Sequence, residues 1–305
     1  MTNDIQNAKD RVKNLQADLK TAMLGLASGD AWQRHLDAIA AIGPLSIARL
    51  SFRNQLLVLF AAARRGLSTS CVATFKGWEA FGRYPKKGSK AVYILAPCSF
   101  KKTVEKEDGD TEERKGVFFK AMPMFLAGDT EGKELPASPL KTERVQGGDE
   151  RTLADFDRLA AWAVESGLVS SVRVVERGSR TENGVFFLND RRVEVMADLS
   201  PAHRMKTLVH ELTHARNHAG KCEMDRESDE VAAESAAYVV CQALGLDTSG
   251  YSFAYVALWG AEGADTDILR RRIESTGEAV AQAARTFLDV LAGRAEEKEA
   301  ADLAA

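Results

Sequence analysis

The sequence predicts an α+β fold in two domains, an N-terminal one of helices with a small antiparallel sheet and a C-terminal one built around a long histidine-bearing helix. Three observations predict it. Apolar residues recur at helical spacing through residues 5–65, and short β-branched and aromatic runs bounded by turn residues stand at 90–97 and 184–196. A charged stretch rich in Pro and Gly at 128–151, "GDTEGKELPASPLKTERVQGGDER", separates the halves as a linker. The expected division is residues 1–145, residues 146–293 and a disordered tail at 294–305, within the size range of ordinary domains.

The elements follow in order. Amphipathic spacing predicts helices from Ile5 to about Leu26, from Trp32 to about Ile42 and from about Ser46 to Arg65. Gly29-Asp30 and Gly43-Pro44 punctuate them, and Gly66 suits the left-handed residue that ends the third. A short helical piece surrounds Trp78. "KAVYILAP" (90–97) reads as a strand, and 99–104 and 117–125 read as two more that pair with each other. Between them "EKEDGDTEERKG" (105–116) is too charged to bury and reads as a mobile hairpin loop. Beyond the linker come a helix at 152–166, a strand at 171–176 and a hairpin from 184–188 to 192–196 turning at Asn189-Asp190. Helices then continue to about residue 292.

No apolar leader opens "MTNDIQNAKDRVKNLQ", and nowhere do eighteen apolar residues run together, so a cytoplasmic protein without membrane association is expected. Cys71, Cys98, Cys222 and Cys241 are scattered with no Cys-x-x-Cys pair, which argues against a thiolate metal knuckle and for reduced structural thiols. The net charge of −3 hides a strong polarity: residues 1–104 carry 16 Lys+Arg against 6 Asp+Glu, and residues 105–305 carry 25 against 38. The basic third suits a polyanion. Within it, residues 49–102 hold eleven basic side chains and one acid, Glu79, interleaved with Phe75, Trp78, Phe81, Tyr84, Tyr93 and Phe100. Cations follow phosphates and aromatic faces stack unpaired bases, so the mixture suits a single strand of nucleic acid. Candidate contacts are Arg53, Asn54, Trp78, Arg83, Lys86, Lys87 and Lys90. Phe52, Phe60 and Tyr93 read as core, and Trp78 fits either role.

"TLVHELTHARNHAG" (207–220) holds three of the five histidines. His210-Glu211-Leu212-Thr213-His214 is an H-E-x-x-H motif whose meaning depends on a helix, because residues four apart share a face. Ser200 is a good N-cap, Pro201 a good first residue, and Met205, Leu208, Val209, Leu212 and Ala215 repeat at helical spacing before Gly220. Both imidazoles then reach one zinc ion at about 2 Å, with Glu211 beside them as general base. His218 lies about 12 Å along the axis from His210, too far to share that ion, and reads as a polar face residue or an outer donor. The third ligand is expected from "DEVAAESAAYVVCQALGLD" (229–247), where Glu230 and Glu234 share a face continued by Ala233, Ala237, Cys241 and Leu244. Carboxylates on a small apolar stripe need a cation partner. Glu230 is favoured as ligand with Glu234 orienting a histidine, and Glu234 as ligand is the alternative. Three protein ligands leave a position for water, the arrangement of a catalytic site holding one Zn2+ per chain. The alternating strand "RRVEVMADL" beside it is expected to hold an extended peptide by edge pairing. Tyr255 or His218 is a candidate to steady the oxyanion.

"LSFRNQLLVL" followed by "GWEAFGRYPKKGSKAVYILAP" resembles the ArdC-like N-terminal domain, a single-stranded-DNA-binding module of antirestriction proteins. Ser51 and Asn54, Trp78, Gly82-Arg83, Lys87-Gly88 and Ile94-Leu95-Ala96-Pro97 match its pattern, while Pro85 stands where a strand-forming aliphatic residue is expected. The second half resembles the zincin domain commonly fused to that module, related to ImmA/IrrE-type peptidases. Glu230, Ala233 and Glu234 fit its second helix, and Tyr255 and Trp259 fit a Tyr-x-x-x-Trp element. The resemblance implies a gluzincin-like zinc metalloendopeptidase with Glu230 as the third ligand, acting on an unknown protein substrate. Two alternatives are a non-catalytic protein that coats single-stranded DNA on a retained zincin fold, and a regulator that acts on a repressor.

Overall fold

A computed structural model describes residues 2–41, 43, 45–67, 69–105, 111–135, 148–219, 224–248, 253 and 265–294, with the backbone alone at 2–5, 102–105 and 111–115. Tyr255, Trp259, Cys222 and the expected tail from 295 onward lie outside the described residues. The chain forms two compact units, one of Met1–Ala22 with Asn54–Glu134 and one of Met23–Arg53 with Leu135–Ala305. This differs from a single cut near residue 145, because residues 23–53 group with the C-terminal half.

The first unit contains most of α1 (Thr2–Leu24), the body of α3 (Phe52–Ala63), β1 (Val72–Ala73), α4 (Phe75–Ala80), β2 (Arg83–Pro85), β3 (Val92–Glu105), β4 (Thr111–Leu126) and β5 (Thr130–Gly132). Residues 46–65, expected as one helix, divide into a 3-10 turn at Ile47–Arg49 and α3, each with its own start. The α3 helix closes at Gly66, whose φ of 64° lets Leu67 N–H reach back to the Ala62 carbonyl. One sheet has the order β1-β4-β3 and a second pairs β2 with β5.

Four expectations change here. The expected strands at 90–97 and 99–104 are one strand, β3, running through Pro97. Asn54 bonds both the N–H and the C=O of Leu95 from outside the sheet, so Pro97, two residues on, also turns its nitrogen to the free edge, where no ladder bond is lost. The expected loop is largely strand: β4 begins at Thr111, and residues 111–116 pair with 100–105 of β3, leaving 106–110 outside the described residues. The expected linker contributes β5 at Thr130–Gly132, and β2 forms despite Pro85. Leu56, Leu57, Val58, Val72, Trp78, Ile94, Met124 and Leu126 fill the core.

The second unit holds α2 (Gly29–Ala40), α5 (Glu150–Glu165), β6 (Ser171–Val175), β7 (Gly184–Phe187), β8 (Arg192–Met196), α6 (Pro201–Ala219), α7 (Arg226–Leu244) and α8 (Thr266–Leu291). Capping side chains mark the helix starts: Ser28 for α2, Asp149 in a reciprocal box with Thr152 for α5, Asp225 for α7 and Asp265 for α8. The sheet order is β6-β8-β7, with β6 parallel and β7 antiparallel to β8. The strand expected to offer a peptide its edge, β8, is therefore central and paired on both sides. The edge strands are β6 and β7. No helix among the described residues is long and apolar enough to cross a membrane.

Candidate functional site

Helix α6 carries the motif on one turn. Met205, Leu208, Val209, Leu212 and Ala215 are buried, which turns His210 and His214 together toward α7. The two Nε2 atoms stand 3.1 Å apart. Glu230 Oε2 on α7 lies 3.6 Å from His210 Nε2 and 3.8 Å from His214 Nε2. These three donor atoms all lie within 4.8 Å of one another, the arrangement a single metal ion requires. Tetrahedral ligands about 2.0–2.2 Å from an ion stand about 3.3–3.6 Å apart, so the donor set fits a divalent metal.

The remaining imidazole nitrogens are also held. His210 Nδ1 lies 3.5 Å from Glu234 Oε2, and Lys206 Nζ donates to Glu234 Oε1 at 2.8 Å. Glu234 thus stands behind His210, while Glu230 faces the donor cluster. His214 Nδ1 lies 2.7 Å from Asp229 Oδ2, and Asn217 Nδ2 donates to Asp229 Oδ1 at 2.7 Å. Such contacts fix the ring orientation and raise the basicity of a ligand. Asp229 and Asn217 escape the sequence reading. Their only signal is a carboxylate next to Glu230, and residues adjacent on a helix point about 100° apart, so the crossing of α6 and α7 alone assigns that carboxylate to His214. His218 is exposed, 3.8 Å from Asp229 and stacked on Phe186, outside the donor cluster as expected.

Glu211 is buried, and the main-chain N–H of Phe186 on β7 bonds its carboxylate. Burial raises its pKa above the ordinary value, although the charges of His210 and His214 and the Phe186 bond pull it back. Burial works against a charge on His210, yet the carboxylates of Glu230, Glu234 and Glu211 raise its pKa to about 9. The hydrogen bond from His210 holds Glu230 low against its own burial. Burial also opposes the charge on Asp229, but His214 and Asn217 keep its pKa below the ordinary value.

The basic surface of the first unit is arranged differently from the sequence reading. Trp78 is fully buried and its indole N–H donates to the Phe125 carbonyl at 2.8 Å, so it offers no ring face to a base. Asn54 spends both amide groups on Leu95. Arg83 ties β2 to β5 through Thr130 and the Lys133 carbonyl, and Arg53 belongs to the second unit, where it pairs with Glu274. Lys86 donates to the Gly128 carbonyl, and Lys87 and Lys90 are exposed. Phe52 is core as expected, while Tyr93 lies under the Arg11 guanidinium. Exposed rings stand elsewhere, at Phe75, Tyr84, Phe100, Phe118 and Phe119.

Residues 21–125 match the family described as the N-terminal domain of anti-restriction factor ArdC. The match covers about a third of the chain. No curated protein matches the chain. The chain is also similar to the metal-free crystal structure of the antirestriction ArdC protein from plasmid R388, at 20% identity over 79% of this chain and 85% of that one, with a TM-score of 0.49. To the Mn(II)-bound structure of that protein the values are 20%, 85% and 97%, with a TM-score of 0.44. The matched segment includes Asn54, Trp78 and Arg83, and in this chain these three make internal bonds within the first unit. It ends at the last residues of β4, before β5 completes the small sheet.

Proposed function

We propose that the chain is an antirestriction protein of the ArdC kind that binds single-stranded DNA through its first unit and hydrolyses peptide bonds at the His210–His214–Glu230 centre, with zinc as the ion. The observation that carries the reading is the convergence of three metal donors beside a buried carboxylate with a raised pKa, on a chain whose first 104 residues hold 16 basic side chains against 6 acidic. A divalent ion held there would supply Lewis acidity to the scissile carbonyl and to the attacking water. Glu211 takes the proton of that water on a carboxylate oxygen and hands it to the leaving nitrogen, work suited to a carboxylate raised toward neutrality by burial. Asp229 and Glu234 keep the two imidazoles in place throughout. The free edge of β7 pairs with an extended substrate, and a tethered DNA site raises the local concentration of any protein bound to the same strand.

The test combines metal analysis with cleavage and DNA binding. The purified protein carries one zinc per chain, which His210→Ala abolishes. Glu211→Gln keeps the metal and the DNA affinity but loses cleavage of protein substrates with or without single-stranded oligonucleotide. Oligonucleotide affinity falls steeply with salt. Full zinc content in His210→Ala removes the centre, and undiminished cleavage in Glu211→Gln removes the general base. A protein that binds zinc and DNA but cleaves nothing is a protective binding protein.

A further inference from the structure

The antiparallel pair β3–β4 outruns the core that supports it. Near its base Val92, Ile94, Leu95, Met124 and Leu126 are buried. Farther out the register pairs Cys98 with Phe118 and Phe100 with Gly116, placing both rings on one face, while Phe119 and Val117 fall on the other. Phe100 is 44% exposed, Phe118 51%, Phe119 46% and Val117 63%. A solvated hairpin carries polar residues on at least one face, so an arm apolar on both faces marks a contact with something else.

The Phe100 ring reaches across to the other strand. A methyl group on Gly116 would come within 2.5 Å of it, so the glycine leaves the space the ring fills. The Phe100 and Phe118 ring centres lie 6.1 Å apart at an interplanar angle of 52°. The sequence around them is cationic: residues 97–102 and 114–120 contain Lys101, Lys102, Arg114, Lys115 and Lys120 and no acid. Beyond this band, residues 105–113 turn acidic, with six carboxylates and one lysine.

Taking the DNA-binding half of the proposed function as its premise, we infer that a single strand of nucleic acid crosses the β3–β4 arm at this band, with unpaired bases on Phe100 and Phe118 and its backbone beside Lys120. Rings paired with a local excess of cations are the chemistry that binds single strands without sequence preference, and every base has a face to stack. Five like charges oppose a second copy of the same band, and the acidic residues beyond it oppose an anionic membrane.

The experiment is fluorescence anisotropy of a 5′-fluorescein-labelled oligo-dT with the full-length protein at constant low salt. Phe100→Ala/Phe118→Ala and Phe100→Leu/Phe118→Leu both weaken binding about tenfold or more, while Phe100→Tyr/Phe118→Tyr binds like the parent. The leucine pair preserves apolar packing and carries the test if the alanine pair folds poorly, as judged by melting and metal content. Parental binding by the leucine pair overturns the inference, because apolarity and not stacking is then what matters. A tenfold loss confined to Phe75→Ala/Tyr84→Ala overturns it too, by moving the site to the other exposed ring pair. So does a dimer that dissociates when Phe100 and Phe118 are replaced, which assigns the face to a second copy. If the parent protein binds no oligo-dT, the DNA half of the proposed function fails as well. If it binds in a salt-dependent way that all these variants share, the arm alone is ruled out.

Discussion

Burial strips His35 of the charge it would otherwise take up in mild acid. The ring lies edge-on to Phe52 with centroids 5.4 Å apart, and its pKa falls from 6.5 to about 4 because folding removes it from water. Between those values the unfolded chain binds the extra proton, so stability rises with pH across this window and is lost as pH falls from 6.5 toward 4. From about pH 7 to about pH 5 the loss amounts to about 2 kcal/mol. Urea unfolding of His35→Leu at both pH values should show a drop smaller by that amount, and equal drops in parent and variant would place the acid sensitivity elsewhere. Asp229 leads to a prediction of another kind. Asp229→Ala frees His214 Nδ1 without touching a donor atom, so metal affinity in a competition titration should fall about 10–100-fold with the fold intact. Of the site, the shared face of His210 and His214 with Glu211 beside them was legible from four-residue spacing on a capped helix, and Glu230 and Glu234 as a pair from a face that is otherwise small and apolar. Asp229 was not, and neither was the burial of Trp78, since an aromatic among basic residues looks alike in sequence whether it meets a base or the protein interior.

At the level of elements, side chains stand in for missing neighbours. Strand β3 is the edge of its sheet, and Asn54 on α3 supplies Leu95 with the donor and acceptor that another strand would provide, at 2.9 and 3.1 Å. Asn54→Ala leaves both groups without a protein partner and should cost about 2 kcal/mol of stability in urea unfolding. An unchanged midpoint would mean that water replaces both bonds at no cost. Helix α8 shows the converse, a neighbour that requires an absence. A methyl on Gly277 would meet the Phe52 ring at 2.3 Å, so Gly277→Ala should destabilise even though alanine favours a helix interior by about 1 kcal/mol. Thermal melting decides the sign, and a higher melting temperature would show that the ring moves aside freely. Most helices and the strands of the second unit were legible from periodicity, while in the first unit the lengths of β3 and β4 and the presence of β5 were not. Partners were not: the alternation in "RRVEVMADL" says that β8 has two kinds of face, while its place between β6 and β7 depends on residues twenty positions away. Proline likewise breaks a predicted strand only if its nitrogen faces a ladder, and in β3 it faces the free edge.

The whole molecule is divided by packing and not by its most conspicuous break in composition. The linker at 128–151 marks a change in the chain's chemistry, yet α2, far upstream at Gly29–Ala40, belongs with the C-terminal unit. Helical spacing reveals that α2 has an apolar stripe but not which core receives it. In the folded unit Trp32 and Leu36 are fully buried and Ile39 nearly so, the Trp32 indole donates to Ser235 at 2.8 Å, and Tyr238 donates to Asp37. The receiving helix explains the arrangement: α7 is buried almost all round, from Val231 to Cys241 with few gaps, so α6 and α8 alone leave one side open and α2 covers it. Three large side chains buried at about 1.5–3 kcal/mol each contribute about 5–9 kcal/mol, comparable to the 5–15 kcal/mol (roughly) that stabilises a whole domain. A truncated chain starting at residue 146, where the linker invites a cut, should therefore lose its cooperative thermal transition and bind a hydrophobic dye. Adding a peptide of residues 23–53 should restore the transition, because the missing surface is continuous and supplied by that segment. A truncated chain that melts cooperatively at the parental temperature without the peptide would show that α2 is dispensable and that the unit is complete from residue 146 onward.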